Sequence, residues 1–299
     1  MINPAHFDLQ SLRIFLLVAD SGSLTRAAER AHMTLSAVSK RIGELEKNID
    51  CELLVRLPRG IELTPAGVGL LEHARRVVDQ VNRMAGEMGD YAVGVRGHVR
   101  MWVNTSAVVQ FLPHDLPAFL ADNPGVHIGL EEKLSSEIIE ALGHGRADVG
   151  VFADNVPAPG IEKRPYRSDR LVLLVPRGHA LDGRTEAAFV ETLEYDYVGL
   201  NEGSSLLARL VNAAVAAEKT LRIRIQVSSF DGICRMIEAG LGIGILPLAA
   251  VRPEILGARL SAINLSDGWA SRTLWVGKSA AAVHPEAVRM FSFLAAQYE

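Results

Sequence analysis

Residues 23 to 64 constrain this chain more than any other stretch, because they spell a helix, a tight turn, a second helix and a short hairpin in immediate succession. Ser23 can cap a first helix that runs through Ala27, Ala28 and Ala31. His32, Met33 and Thr34 then turn the chain into a second helix beginning near Leu35. In that helix Val38, Ile42, Leu45 and Ile49 recur at spacings of four, three and four, so one face is apolar and docks on the domain. The opposite face opens with Leu35, Ser36, Ser39 and Lys40 and continues with Gly43 and Lys47. Short or basic side chains at the start of such a helix are what helix-turn-helix proteins aim at base edges.

Leu53 to Leu57 and Ile61 to Leu63 are short apolar runs split by Pro58, Arg59 and Gly60, a turn signal. The order predicts a winged helix-turn-helix, with Arg56 and Arg59 of the wing meeting phosphates or a minor groove. Upstream, Asp8 can cap a supporting helix through Leu9, Leu12, Phe15, Leu16 and Ala19 that ends at Ser21 and Gly22. Downstream, Thr64 and Pro65 open a helix in which Leu71, Ala74, Val78, Val81, Ala85 and Met88 form a seam suited to a second helix. The alternative is an amphipathic helix lying on its own domain. A continuous helix to Gly89 would span on the order of 35 Å, long for a piece folded back on residues 1 to 64, so a dimer contact is favoured.

A chain of 299 residues with 48% hydrophobic content exceeds what one core holds, so more than one domain is expected. The net charge of −4 argues against a nucleic-acid partner until its distribution is read. Residues 1 to 89 hold 11 Lys and Arg against 11 Asp and Glu, which leaves 20 against 24 for the remainder. The case for DNA therefore rests on placement and not on bulk charge. The N-terminus has no basic stretch before an apolar run, and no uninterrupted apolar run is long enough to span a bilayer, so a cytoplasmic protein without membrane contact is expected. Two cysteines, Cys51 and Cys234, fit free thiols better than a disulfide framework.

Beyond Gly89, Gly94 and Gly97, which mark a hinge, strand and helix patterns alternate. Val99 to Val103 and Val126 to Leu130 read as strands, with a helix from Ser106 broken by Pro113 and Pro117 between them. A helix from Ser135 or Ser136 and a strand from Asp148 to Phe152 follow. Near Pro165 the pattern restarts, with strands at 170–175, 197–200, 223–227 and 244–246 and helices at 204–217 and 230–239. Such alternation predicts two similar α/β halves built on parallel sheet with helices on both faces. The last strand and helix, Thr273 to Val276 and Pro285 to Gln297, are long enough to cross back and complete the first half.

Taken together, GSLTRAAERAHMTLSAVSKRIGELE, LLVRLPRGIELTPAG, ALGHGRADVGV, LVPRGHAL and AGLGIGILP give the chain, over essentially its whole length, a resemblance to the LysR-type transcriptional regulators. That resemblance implies a multidomain protein: a winged helix-turn-helix over 1–64, a linker helix over 65–89 and a hinge over 90–98. It also implies a two-lobed effector domain of the periplasmic-binding-protein kind, lobe I being 99–165 plus 268–299 and lobe II 166–267. The implied partners are double-stranded DNA, a small-molecule effector, further copies of the chain as a homodimer or homotetramer, and RNA polymerase. Ser23, Thr25, Thr34, Leu35, Ser36, Ser39, Lys40, Arg56 and Arg59 are the implied DNA contacts. Ser106 and Ser135 match first-lobe effector positions, and Asn201, Glu202, Ser204 and Phe230 match second-lobe positions.

The chain departs from the family pattern at two places. Where relatives commonly carry Ser-Gln-Pro it has Thr34, Leu35 and Ser36. Leu35 cannot hydrogen-bond, yet it can touch a thymine methyl. Lys40 replaces a usual arginine, which leaves guanine and phosphate roles both open. Independently of the resemblance, a serine at a helix start sets a hydroxyl beside unpaired N–H groups and suits an anion. Ser106, Ser135 and Ser204 can equally be plain N-caps, and Glu202 complicates an anionic ligand, so ligand charge stays open. No HExxH, GxSxG or Cys/His grouping is present, so no metal, cofactor or catalytic role is expected. Gly240 to Gly244 matches no nucleotide loop and reads as a helix-to-strand turn, and a buried, inert Cys234 is favoured over a sensor thiol. A transport binding protein would leave residues 1 to 89 without a use, and an enzyme would lack its acid, base and nucleophile.

Overall fold

The computed structural model describes residues 3–57, 60–92, 97–279 and 284–298, and the chain divides into two compact units, Met1–Val93 and Gly94–Glu299. The first unit opens with α1 (Leu9–Ser21), α2 (Leu24–Arg30) and α3 (Leu35–Ile49). Each start has a side-chain acceptor for an otherwise unpaired amide: Asp8 accepts from Ser11 N–H, Ser23 from Arg26 N–H and Thr34 from Ala37 N–H. Val38, Ile42 and Leu45 of α3 pack with Phe15 and Val18 of α1 and Ala27 and Ala28 of α2 in one core. The antiparallel hairpin of β1 (Leu54–Leu57) and β2 (Gly60–Leu63) follows, paired from Leu54 with Leu63 to Leu57 with Gly60. Its edge is tied to the end of α1 by a 3.1 Å bond from Ile61 N–H to the Gly22 carbonyl.

Helix α4 (Pro65–Ala92) is one 28-residue helix, about 42 Å long at the usual rise. Its first turn presses on the entry to β1, where a Cβ on Gly67 would come within 2.2 Å of the Leu53 carbonyl oxygen, so only glycine fits. The expected seam is corrected in part. Ala74 and Val78 are buried in the unit's own core beside α1, as the folded-back alternative required, because α1 offers an apolar face along that length. Of the same seam Met88 is exposed and Val81 half-buried, and Val77 and Met84 beside it are exposed as well. Of residues 90–98, expected as a hinge, those to Ala92 belong to α4 and those from Gly97 to β3, and 93–96 lie outside the described residues. Gly94 lies outside the described residues, as does Arg59 of the wing.

The second unit runs β3 (Gly97–Val103), α5 (Thr105–Gln110), α6 (Leu112–Asp122), β4 (Val126–Glu132), α7 (Ser135–Gly143) and β5 (Val149–Ala153). Then come β6 (Glu162–Pro176), β7 (Glu186–Ala187), α8 (Phe189–Thr192), β8 (Tyr197–Leu200), α9 (Ser205–Ala216), β9 (Ile223–Val227), α10 (Phe230–Glu238) and β10 (Gly244–Pro247). Last are β11 (Leu260–Leu265), β12 (Ser271–Lys278) and α11 (Pro285–Ala295). The two prolines do not break the helix where expected; the break is at Phe111, and α6 contains both. Pro113 sits in the first turn, where a missing N–H costs nothing, and the bond Pro117 omits would have fallen on the carbonyl of Pro113.

The sheet is mixed and not purely parallel. Strand β3 pairs in parallel with β4 and β5, whereas β12 runs antiparallel to β5 and β6, and β10 and β11 run antiparallel to β6. The reason is β6, which does not restart at Pro165. It is one 15-residue strand that pairs with β12 from Glu162 to Arg170 and with β10 from Leu171 to Leu174. One continuous strand thus serves two lobes, each with its own core: Val99, Met101, Val149, Val151 and Leu274 in the first, Leu171 to Val175, Tyr197 and Ile245 in the second. The glycines at 242 and 244 are sheet packing, since a Cβ on either would approach the backbone of Asp196 or Val198 at 2.6 or 3.0 Å. Among the described residues, no helix is long and apolar enough to cross a membrane and no acidic, His or Cys cluster could hold a metal.

Candidate functional site

In the first unit, the face of α3 turned away from its core is open. Leu35 is 47% exposed at the first helical position, and Ser36 and Lys40 are exposed. Thr34 Oγ1 accepts from Ala37 N–H at 3.3 Å and lies 3.1 Å from Ser36 Oγ, so the hydroxyls beside Leu35 also stiffen the helix start. Ser39, one turn on, accepts a 3.2 Å hydrogen bond from Arg56 Nη2 of the wing. Two groups expected to touch DNA separately thus touch each other. Lys40 Nζ lies 3.8 Å from Glu44 with both side chains exposed, a contact worth little in water. Ser23 is spent as the cap of α2, and Thr25 is exposed beside it. Arg41 faces inward to Gln10, Ser11 and Asp8 at 2.9, 3.3 and 3.6 Å and is a strut between helices, not a free cation.

In the second unit a cleft between the lobes has about 310 Å³ of empty space, part of it open to solvent. Asn104, Thr105, Ser106, Lys133, Leu134 and Ser135 line it from the first lobe and Leu200, Ser204, Ser205, Leu206 and Phe230 from the second, with Arg272 of β12. The structure thus brings together Ser106, Ser135, Ser204 and Phe230. It does not bring in Asn201 or Glu202, which are exposed on the turn between β8 and α9; the start of α9 is what reaches the cleft. Among the described residues no carboxylate lines the space; Lys133 and Arg272 do, the first paired with Glu131 at 3.2 Å and the second with Asp169 at 2.5 Å.

Of the three serines only Ser204 is a cap, accepting from Leu207 N–H at 3.3 Å. Asn104 caps α5, and Ser106 Oγ accepts instead from Arg272 Nη2 at 2.7 Å. Leu134 holds the cap position of α7, its N–H given to Glu137, and Ser135 Oγ accepts from Ala153 N–H at 3.2 Å. All three are more than nine-tenths buried, each oxygen has an internal donor, and among the described residues none is seen donating. Their protons are what the cleft presents. Asn155 Nδ2 donates to the Ser205 carbonyl at 2.9 Å, and Asp154 pairs with Arg209 of α9, so first-lobe side chains hold the start of α9 in place.

Sequence reading missed Asn104, Lys133 and Arg272. A signal for the last was available: Arg272 shares the inward parity of Leu274 and Val276 on β12, so its side chain had to be buried. Cys234 is buried, which pushes its thiol up to about 11, and Cys51 is exposed.

Two family models match the chain. One described as bacterial regulatory helix-turn-helix protein, lysR family, covers residues 9–68, and the LysR substrate binding domain covers residues 92–298. The chain is 25% identical over 294 residues to a probable RuBisCO transcriptional regulator of Trieres chinensis, covering 95% of each. It is 28% identical over 270 residues to the nitrogen assimilation regulatory protein nac of Klebsiella aerogenes, covering 89% of this chain and 84% of that one. Among solved structures it is similar to CbnR, a LysR family transcriptional regulator, with a TM-score of 0.72 at 21% identity over 98% of this chain and 100% of that one.

Proposed function

The chain belongs to the LysR family of DNA-binding transcriptional regulators and carries that family's effector-binding domain, and from this premise we propose that it is a cytoplasmic, dimeric or tetrameric regulator that senses a small organic acid. Residues 1–64 form the DNA-binding head. Leu35, Ser36, Ser39 and Lys40 on α3 face the major groove, and Arg56 and Arg59 of the wing grip the flank, with Ser23, Thr25 and Thr34 at the backbone. Two copies pair through α4, whose exposed Val77, Met84 and Met88, with half-buried Val81 between them, are the surface such pairing would cover. RNA polymerase is the partner through which DNA occupancy would become transcription.

The observation that carries the ligand assignment is the cleft of three buried hydroxyls, each with its oxygen taken by an internal donor and so with a proton to give, and no carboxylate among the described lining residues. Donors without an internal acceptor suit a carboxylate, and Glu202, the residue that favoured an amine, lies outside the lining. The ligand acts by binding one arrangement of lobes and dimers more tightly than another.

The test uses full-length protein and DNA from upstream of its own gene in a gel-shift assay, with small organic acids and amines added in turn. Binding at low salt and a shifted mobility or affinity with an acid support the reading. Failure to bind that DNA, or a response to amines alone, overturns it.

A further inference from the structure

A buried arginine is tolerated only with a built answer to its charge. Arg272 is 3% exposed and stands directly opposite Asp169 in the pairing of β12 with β6. Its Nε and Nη2 donate to the two oxygens of that carboxylate at 2.5 and 2.6 Å. Gln110 Nε2 adds a 3.0 Å bond to the same carboxylate and a 3.3 Å bond to the Ser106 carbonyl oxygen. Both neighbours are acceptors, so the amide nitrogen must point at them, and Gln110 Oε1 is left buried without a partner. Arg272 Nη2 then reaches Ser106 Oγ at 2.7 Å, and Ser106 and Arg272 are the two members of this set that line the cleft.

We propose that Arg272 is a positioning residue for the effector, acting through Ser106. By occupying the seryl oxygen with a cationic donor it commits the hydroxyl proton to the cleft, and a hydroxyl that accepts from a cation is itself a stronger donor. The group docked at Ser106 is therefore a carboxylate oxygen. Asp169 already holds the guanidinium by two bonds, so the acid is recognised through a polarised hydroxyl and not through a new ion pair. A ligand ammonium would need the seryl oxygen as acceptor, and Arg272 Nη2 already occupies it. The inference rests on the cleft being the effector site, and assigns one contact within it.

Thermal shift and calorimetry on the full-length protein test it, with short-chain mono- and dicarboxylic acids, each paired with its primary amide. Wild type is expected to prefer the best acid over its amide by about tenfold, the worth of one charge-assisted hydrogen bond. Ser106→Ala leaves the Arg272–Asp169 pair whole and should bring that ratio close to one, and Ser106→Thr, which keeps the hydroxyl, should restore it. Neutralising both charges together, Asp169→Asn with Arg272→Gln, leaves no lone buried ion and should lower the ratio as Ser106→Ala does. A wild-type ratio in Ser106→Ala, or in the folded double variant, overturns the role of Arg272 while leaving the effector site standing. If neither acids nor amides bind the wild type, the effector reading itself falls, and this inference with it.

Discussion

Replacing thymine by deoxyuridine in the operator removes one methyl group and nothing else, and so isolates what Leu35 does. The side chain is 47% exposed at the tip of α3, and it is absent from the residues packed on the head's core. Its neighbours Thr34, Ser36, Ser39 and Lys40 all carry polar atoms, so Leu35 alone on this face offers purely apolar contact. Burying a methyl contributes about 0.8 kcal/mol, which is roughly a fourfold change in affinity per half-site and about fifteenfold for two. The assay is fluorescence anisotropy on duplexes selected from a randomised library, each thymine replaced in turn. Wild type should lose affinity by this amount at one symmetric pair of positions, and Leu35→Ala should be indifferent there. Leu35→Gln should change the preferred base at that position more than total affinity. Uniform tolerance of deoxyuridine by the wild type, or an unchanged preference in Leu35→Gln, would refute the reasoning.

Arg56→Ala should weaken binding to all sequences alike and flatten the slope of log affinity against log salt by about one, the mark of a lost phosphate contact; a change in preferred sequence instead would mean that its bond to Ser39 orders the reading face. The Asp8 carboxyl is held below its usual range chiefly by the Ser11 hydroxyl and then by the Ser11 amide. The folded head therefore binds that proton less readily than the unfolded chain, so the stabilisation is complete above the unfolded carboxylate range and lost as pH falls through the folded value. Asp8→Asn should make the melting temperature less sensitive to pH in that acid range, and an unchanged pH profile would count against the cap. Burial with a thiol raised to about 11 should leave Cys234 unlabelled by iodoacetamide near neutral pH while exposed Cys51 reacts, as read by mass spectrometry of native and denatured protein; native labelling of Cys234 would contradict its packing.

Local pattern and tertiary assembly divided the determination of this protein along a physical line. Helical spacing, caps and turn residues act within a few positions, so α1 to α3, the wing and most strands of the lobes are legible in the chain itself, down to the open face of α3. The same holds for Ser204, which is a cap because the helix begins there. What a surface is covered by cannot be read locally. The row Leu71, Ala74, Val78 looks identical whether a partner or α1 lies against it, and folding put Ala74 and Val78 into the head's own core. Likewise only 170–175 of β6 reads as a strand, after a restart near Pro165, yet β12 pairs with the chain from Glu162 to Arg170 and makes it one strand. The cleft was decided last of all. Ser106 owes its character to Arg272 and Asp169, 166 and 63 positions away in the chain, and of the neighbours Asn201, Glu202 and Ser204 the turn after β8 leaves the first two exposed and sets the third in the cleft. Such contacts depend on the pairing of distant strands, and their energy exists only once the sheet has closed.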